Sequence, residues 1–409
     1  MKRLFTIVSV VFLGMGLAHA EVLTLDDAVQ RALANNPSVR AAHEEAKAAK
    51  ARIPQAITPE NPTVGIEFEK TPINTLNIEN AMSTNYQVRQ TIPFPTKLIS
   101  KGAAAKNEAR AAKNNASQTE IFIISEVKKA YFDLLLIDKK MKIEREIQKI
   151  FNIYKGVAET KYATGVTLFD DPIKAGLESA DIENNLNELL QERTGLAANL
   201  GYLLSGDLSD DIQLADVEEP SSFNYELAGL KELAAKNQPM LLAELFSKAA
   251  ARNRLSEARQ EYLPDIMAEF GYHRQKDLQN AWTGSLGISV PLWFFGRQQP
   301  AIREAKAEAN AAAKNYEDAQ NKLNYSLTST YAQIKSGERI LNTYKKTILP
   351  KARAALESVE TSYTTGKTDF LNLKDSALKL REFEIDYWQT LTNLRKAIAE
   401  MEVLAGKQL

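Results

Sequence analysis

The chain has 409 residues, with 51 Lys and Arg against 52 Asp and Glu, a formal net charge of −1, and no Cys. Near-neutrality with 25% charged residues leaves no footprint for nucleic acid or an anionic lipid surface. The lack of Cys excludes disulfides, thiolate metal sites, iron–sulfur clusters, a Cys nucleophile and a lipid-modified cysteine.

Met1–Ala20 reads as a secretory leader: Lys2 and Arg3 carry charge, Leu4–Leu17 is apolar, and Ala18-His19-Ala20 suits cleavage. Its apolar run is shorter than the roughly 20 residues of a spanning helix. Thr24-Leu25-Asp26-Asp27 is an N-cap with an acid at N3, opening a short helix to about Asn35. Pro37 then starts a second helix at the one position where its missing N–H costs nothing.

The period next changes from 3.6 to 2. Over about 62–70, Val64, Ile66 and Phe68 alternate with Thr63, Glu67 and Glu69; over about 84–92, Tyr86, Val88 and Ile92 alternate with Asn85, Gln87, Arg89 and Thr91. From about Ser100 to Thr160 the pattern is helical without Pro, roughly 60 residues or about 90 Å. Ile124, Val127, Tyr131, Leu134 and Met141 keep a near-heptad stripe along it, and Ile182, Leu186 and Leu189 mark the return arm. The reversal between them is Tyr162-Ala-Thr-Gly-Val-Thr-Leu-Phe169, where Gly165 supplies the backbone freedom of a helix end.

The second half repeats this order. Helices are expected around Tyr225–Lys236 and from Pro239, and strands at about 264–273 and 282–291. In those strands Ile266, Ala268, Phe270 and Tyr272, then Trp282, Leu286, Ile288 and Val290, form apolar faces. An arm from Ala301 carries Leu327, Tyr331, Ile334, Leu341, Tyr344 and Ile348, with a kink or irregularity expected at Pro350. Its return carries Leu380, Phe383, Tyr387, Leu391, Leu394, Ile398 and Met401. The reversal, Tyr363-Thr-Thr-Gly-Lys-Thr-Asp-Phe370, repeats Tyr, Thr, Gly, Thr and Phe in the same slots 201 residues on. Asn36-Pro37 with Gln238-Pro239, and Leu203-Leu-Ser-Gly206 with Val403-Leu-Ala-Gly406, keep nearly that spacing. Residues 21–220 and 221–409 are therefore expected to be two copies of one structural unit, with tips near 162–171 and 363–372.

Alternation over about nine residues suits outer-membrane strands, and also half-buried hairpins of a soluble sheet. If the strands lie in lipid, four cannot close a barrel, since about eight is the minimum and lipid tolerates no open sheet edge. Several chains must then pool their strands. Residue patterning leaves 8, 12 and 16 strands open.

The leader, the Leu25-Asp-Asp-Ala28 opening, the Pro-flanked strand pairs and the duplicated Tyr-x-x-Gly tips occur together. With Gln90-Thr-Ile-Pro-Phe-Pro95 and Pro291-Leu-Trp-Phe-Phe-Gly-Arg297, the whole chain after the leader resembles the TolC-like outer-membrane efflux family. Ile92-Pro-Phe-Pro95 followed by Lys97-Leu98 is similar to its cobalt–zinc–cadmium efflux branch, although Thr96 stands where that branch usually has Gly. The resemblance implies a mainly α fold with a transmembrane β-barrel. Each chain of a homotrimer would give four strands to a twelve-stranded barrel in outer-membrane lipid and its helices to a coiled-coil periplasmic tube. It further implies a membrane-fusion adaptor and an inner-membrane pump of the resistance-nodulation-division type as partners. By analogy Gly165, Val166, Thr167, Gly366, Lys367 and Thr368 face the adaptor, and Asp171, Asn372 and Asp375 line the aperture. Asn372 stands where relatives often carry Asp, and Pro172 and Lys374 depart from the pattern. Ordinary helix-start acids would account for Asp171 and Asp375 equally, and a simple turn for the Gly tips.

No Walker loop or nucleophile elbow is present. His19 leaves with the leader, His43 sits beside Glu44-Glu45 in a polar helix and His273 ends a strand; none has a second His at i+3 or i+4. The expectation is a passive efflux duct without catalytic, cofactor or metal residues, carrying metal cations. The same duct for drugs or secreted protein, and a soluble periplasmic coiled-coil protein without a barrel, remain alternatives.

Overall fold

A computed structural model describes residues 22–70, 78, 81–165, 170–208, 212–220, 222–276 and 278–409. The expected leader and tip residues Val166 and Thr167 lie outside these. In chain order the elements are β1 (Val22–Leu23), α1 (Leu25–Asn35), α2 (Pro37–Ile57), β2 (Thr63–Glu69), β3 (Ser83–Ile92), α3 (Pro95–Ala163) and α4 (Asp170–Leu204). There follow β4 (Gln213–Leu214), α5 (Leu227–Asn237), α6 (Pro239–Gln260), β5 (Ile266–Gln275), β6 (Ala281–Ile288), α7 (Gln298–Thr343), α8 (Leu349–Thr364) and α9 (Phe370–Ala405). Contacts divide these into two units, one of residues up to Ala34 with Val127–Ser221 and Leu341–Thr392, the other of Asn35–Glu126, Ser222–Ile340 and Asn393–Leu409. Each unit therefore draws on both halves of the sequence.

The helix starts follow local chemistry. The Asp27 N–H donates to Thr24 Oγ1 at 3.1 Å, capping α1, while the Thr24 hydroxyl donates to Asp27 Oδ2 at 2.6 Å. Asn36 Oδ1 accepts from Ser38 N at 2.9 Å ahead of Pro37, and the Gln238 side chain accepts from Leu241 N ahead of Pro239. At 69 residues α3 is longer than its pattern indicated, because Pro95 opens it as N1 rather than interrupting it. Pro300 likewise falls in the first turn of α7. The expected irregularity near Pro350 is a π-helical turn, Tyr344–Ile348, which widens the helix just before a residue with no N–H to donate.

In the first unit, apolar side chains from α3, α4, α8 and α9 share one core around Ile147, Phe151, Ile182, Leu356, Tyr363 and Phe370. The parallel pair of β1 and β4, Val22 with Gln213 and Leu23 with Leu214, has no sequence counterpart, since two residues show no period. Buried Tyr131 on α3 holds it: its hydroxyl lies 2.9 Å from Leu23 O and 2.8 Å from Ala215 O.

The second unit carries a four-stranded antiparallel sheet in the order β2-β3-β5-β6. The register puts every even-numbered strand residue on one face: Val64, Val88 and Phe270 in one row, Ile66, Tyr86, Tyr272 and Trp282 in the next. That apolar face is uncovered; Val64 is 73% exposed, Trp282 67% and Leu286 84%. The odd-numbered face is polar, with Arg89 bridged to Glu269 at 3.0 Å. Strands β2 and β6 each have a single neighbour, leaving two open edges. Strand β6 stops at Ile288, short of the expected 291, as the chain approaches Pro291, which has no N–H to give a ladder. Beneath the sheet, buried Lys97 at the start of α3 lies 2.8 Å from Asp265 and 3.5 Å from Glu261, and Asp265 Oδ1 also accepts from Phe94 N. Among the described residues, no helix is long and apolar enough to cross a membrane.

Candidate functional site at the hairpin tips

Both reversals expected at the duplicated Tyr-x-x-Gly segments end their helices in the same way. Gly165 has φ +73 and its N–H reaches Tyr162 O at 3.0 Å; Gly366 has φ +75 and its N–H reaches Tyr363 O at 3.1 Å. Lys367 N then bonds Ser362 O at 2.8 Å, completing a left-handed helix end that a side chain at 366 would strain. The outgoing helix α9 is capped by Asp369, whose Oδ1 accepts from the Asn372 backbone N–H at 3.0 Å and its amide at 2.9 Å. The Asn372 amide also reaches Thr368 Oγ1 at 3.0 Å.

These residues surround an open pocket of about 500 Å³, lined by Lys161, Asp171, Tyr363, Gly366, Lys367, Thr368, Asp369 and Asn372. Of the expected residues, Asp171, Asn372, Gly366, Lys367 and Thr368 are thus brought together. Asp375 is exposed on α9 and Gly165 on its own tip, and neither lines the pocket. Sequence reading missed Lys161, which precedes the tip repeat, and Asp369, whose position just before α9 is a capping signal.

Tyr363 forms the floor. Its ring packs against Tyr154 at 5.8 Å and Phe370 at 6.1 Å, and the Lys161 ammonium sits 4.1 Å from its centroid while donating to its backbone carbonyl. The residue is 2% exposed, and its hydroxyl has no hydrogen-bond partner among the described residues. Burial, with the charge of Asp171 second, pushes its phenol up to about 12. Nearby, hydrogen bonding to Lys174 holds the Asp170 carboxyl below its usual range. Lys374, a departure from the expected pattern, forms an ion pair with Glu178 that ties α9 to α4. Among the described residues, no three His, Asp or Glu converge as a metal site.

The family model described as outer membrane efflux protein matches residues 28–201 and 230–407. The chain is 23% identical over 393 residues to the cobalt-zinc-cadmium resistance protein CzcC of Cupriavidus metallidurans, covering 94% of this chain and 90% of that protein. It is 22% identical over 428 residues to the outer membrane protein TolC of Salmonella enteritidis, covering 97% and 83%. Its fold is similar to a solved structure of CusC, studied for folding and transmembrane channel formation, with TM-score 0.83, 18% identity, and coverage of 94% and 92%.

Proposed function

The chain belongs to the outer membrane efflux protein family, and from that premise we propose that three copies form a duct that passes divalent metal cations outward. As a member it is a non-enzymatic channel protein of the outer membrane with a long helical part in the periplasm. The single observation that carries the proposal is the uncovered apolar face of the sheet, bounded by the open edges of β2 and β6. In lipid, unpaired backbone groups find no water, so β6 of one copy must pair with β2 of the next. Three copies of four strands give twelve, above the minimum for closure. The two halves of the sequence are taken as structural repeats, each supplying one strand pair and one helical hairpin.

The tips meet a periplasmic adaptor through Gly165, Val166, Thr167, Gly366, Lys367 and Thr368, and a resistance-nodulation-division pump supplies the driving energy. Asp171, Asn372 and Asp375 narrow the aperture, where carboxylates repeated by symmetry favour cations. Likeness to CzcC over nearly the whole chain supports the cation cargo. A strain lacking the gene should become sensitive to zinc, cobalt and cadmium. Lost drug resistance with unchanged metal tolerance would replace the cation cargo, and recovery as a detergent-free soluble monomer would remove the duct altogether.

A further inference from the structure

We infer that the outer end of the sheet's apolar face binds lipopolysaccharide, with the lipid A phosphates held by Arg274 and Lys276. This rests on the outer-membrane duct proposed above.

Strands β2 and β5 leave the ends of α2 and α6, and β3 and β6 return to α3 and α7, so the hairpin turns lie at the end of the sheet away from the helices. With the helices in the periplasm, those turns face the exterior. A row of three aromatic rings crosses the uncovered face at Tyr86, Tyr272 and Trp282, with ring centroids 6.4 Å and 4.7 Å apart. Such a row sits at a membrane–water boundary. The next row outward on the same face is Phe68, Thr84 and Arg274. At two residues per row, Arg274 lies roughly 7 Å beyond the aromatic rings, where lipid headgroups begin.

A pocket of about 500 Å³ opens at this level, with Phe68, Ile78, Met82 and Tyr86 as its apolar wall and Arg274 and Lys276 as its cations. Both cations are exposed. On the opposite face Arg89 is paired with Glu269 within the sheet. A cation at the edge of a lipid-facing surface is stabilised by an anion, and an acyl chain suits the apolar wall beside it. Lipid A offers phosphates and acyl chains together in the leaflet that these hairpin ends reach. The chain's near-zero net charge is a sum over all residues and does not exclude a local pair of cations.

The test uses the purified full-length trimer in nanodiscs, titrated with diphosphoryl lipid A, its dephosphorylated form and phosphatidylglycerol. The Arg274→Gln/Lys276→Gln variant should bind diphosphoryl lipid A about 25-fold more weakly, near fivefold per cation. Dephosphorylation should cost the wild type a similar factor and the variant almost nothing. Arg89→Gln, on the opposite face, should leave binding unchanged. Equal affinity of wild type and double variant overturns the inference, as does equal preference for phosphatidylglycerol. Trimer assembly and outer-membrane fractionation are measured in parallel: if both persist without selective binding, only this inference fails, whereas their loss in the wild type removes the duct itself.

Discussion

The Lys161 ammonium sits 4.1 Å from the centre of the Tyr363 ring and donates to the Tyr363 backbone carbonyl, joining the two duplicated tips through one aromatic residue. The ring supplies packing and a cation–π face, whereas the hydroxyl is buried with no partner among the described residues. Tyr363→Phe should therefore leave stability within about 0.5 kcal/mol of wild type or raise it, because a desolvated hydroxyl is removed at no loss of a bond. Tyr363→Ala should cost about 3–5 kcal/mol through the cavity it leaves. Chemical denaturation of both variants checks this; a Phe variant as unstable as the Ala variant would show that the hydroxyl carries the contact.

The same burial sets a pH response. An unfolded phenol titrates near 10 and Tyr363 near 12, so the folded state holds its proton longer. Its contribution is complete below pH 10 and is lost as pH rises from 10 toward 12, to the extent of about 2–3 kcal/mol per chain. Burial also raises the phenols of Tyr154 and Tyr344, and phenolate absorbance in Tyr363→Phe should lose one late-titrating tyrosine relative to wild type. A wild type whose tyrosines all ionise near pH 10 would contradict the buried placement.

Two left-handed glycines differ in their surroundings. A Cβ on Gly366 would meet nothing within 4 Å, so Gly366→Ala should cost about 1 kcal/mol from backbone strain alone. A Cβ on Gly406 would lie 2.5 Å from Asn237 O, a rigid backbone atom, and Gly406→Ala should cost clearly more, about 3 kcal/mol or above. Melting temperatures of the two variants should fall in that order, and a larger drop for Gly366→Ala would refute it.

The faces of β3 predict opposite tolerances at adjacent positions. Val88 stands in the middle row of the uncovered apolar face, and Val88→Arg should cost about 2–4 kcal/mol of insertion. Gln87 points to the polar face, and Gln87→Arg should insert normally. Heat-stable oligomer recovered from outer membranes reads both; equal recovery would mean that this face does not meet lipid.

Lys97 is buried against Asp265 and Glu261 where β5 meets α3. Lys97→Ala strands the Asp265 carboxylate with only its backbone donor, and should cost about 2–3 kcal/mol. The double change Lys97→Met with Asp265→Asn should recover part of that loss. Unfolding free energies that show no recovery would mean that the ion pair is not what holds the junction.

The stretches legible from residue order alone are those governed by neighbours in the chain. The Thr24 cap on α1, the Pro37 and Pro239 starts, the alternation of Val64, Ile66 and Phe68, and the Gly165 and Gly366 reversals depend on contacts within a few residues. Each therefore leaves a period or a cap that can be read directly. Alternation itself could not say whether the apolar face met helices or lay bare, because both environments reward the same pattern. Nor could it show the β1–β4 pair, which owes its place to Tyr131 more than a hundred residues from Leu23.

At the tips, the duplicated spacing marked Gly366, and the family resemblance pointed to Asp171, Asn372, Lys367 and Thr368. Only the folded chain put Lys161 and Tyr363 among them, left Asp375 outside, and turned Asn372 toward Asp369. Those choices depend on side-chain directions across helices distant in sequence, which packing decides and linear spacing does not encode.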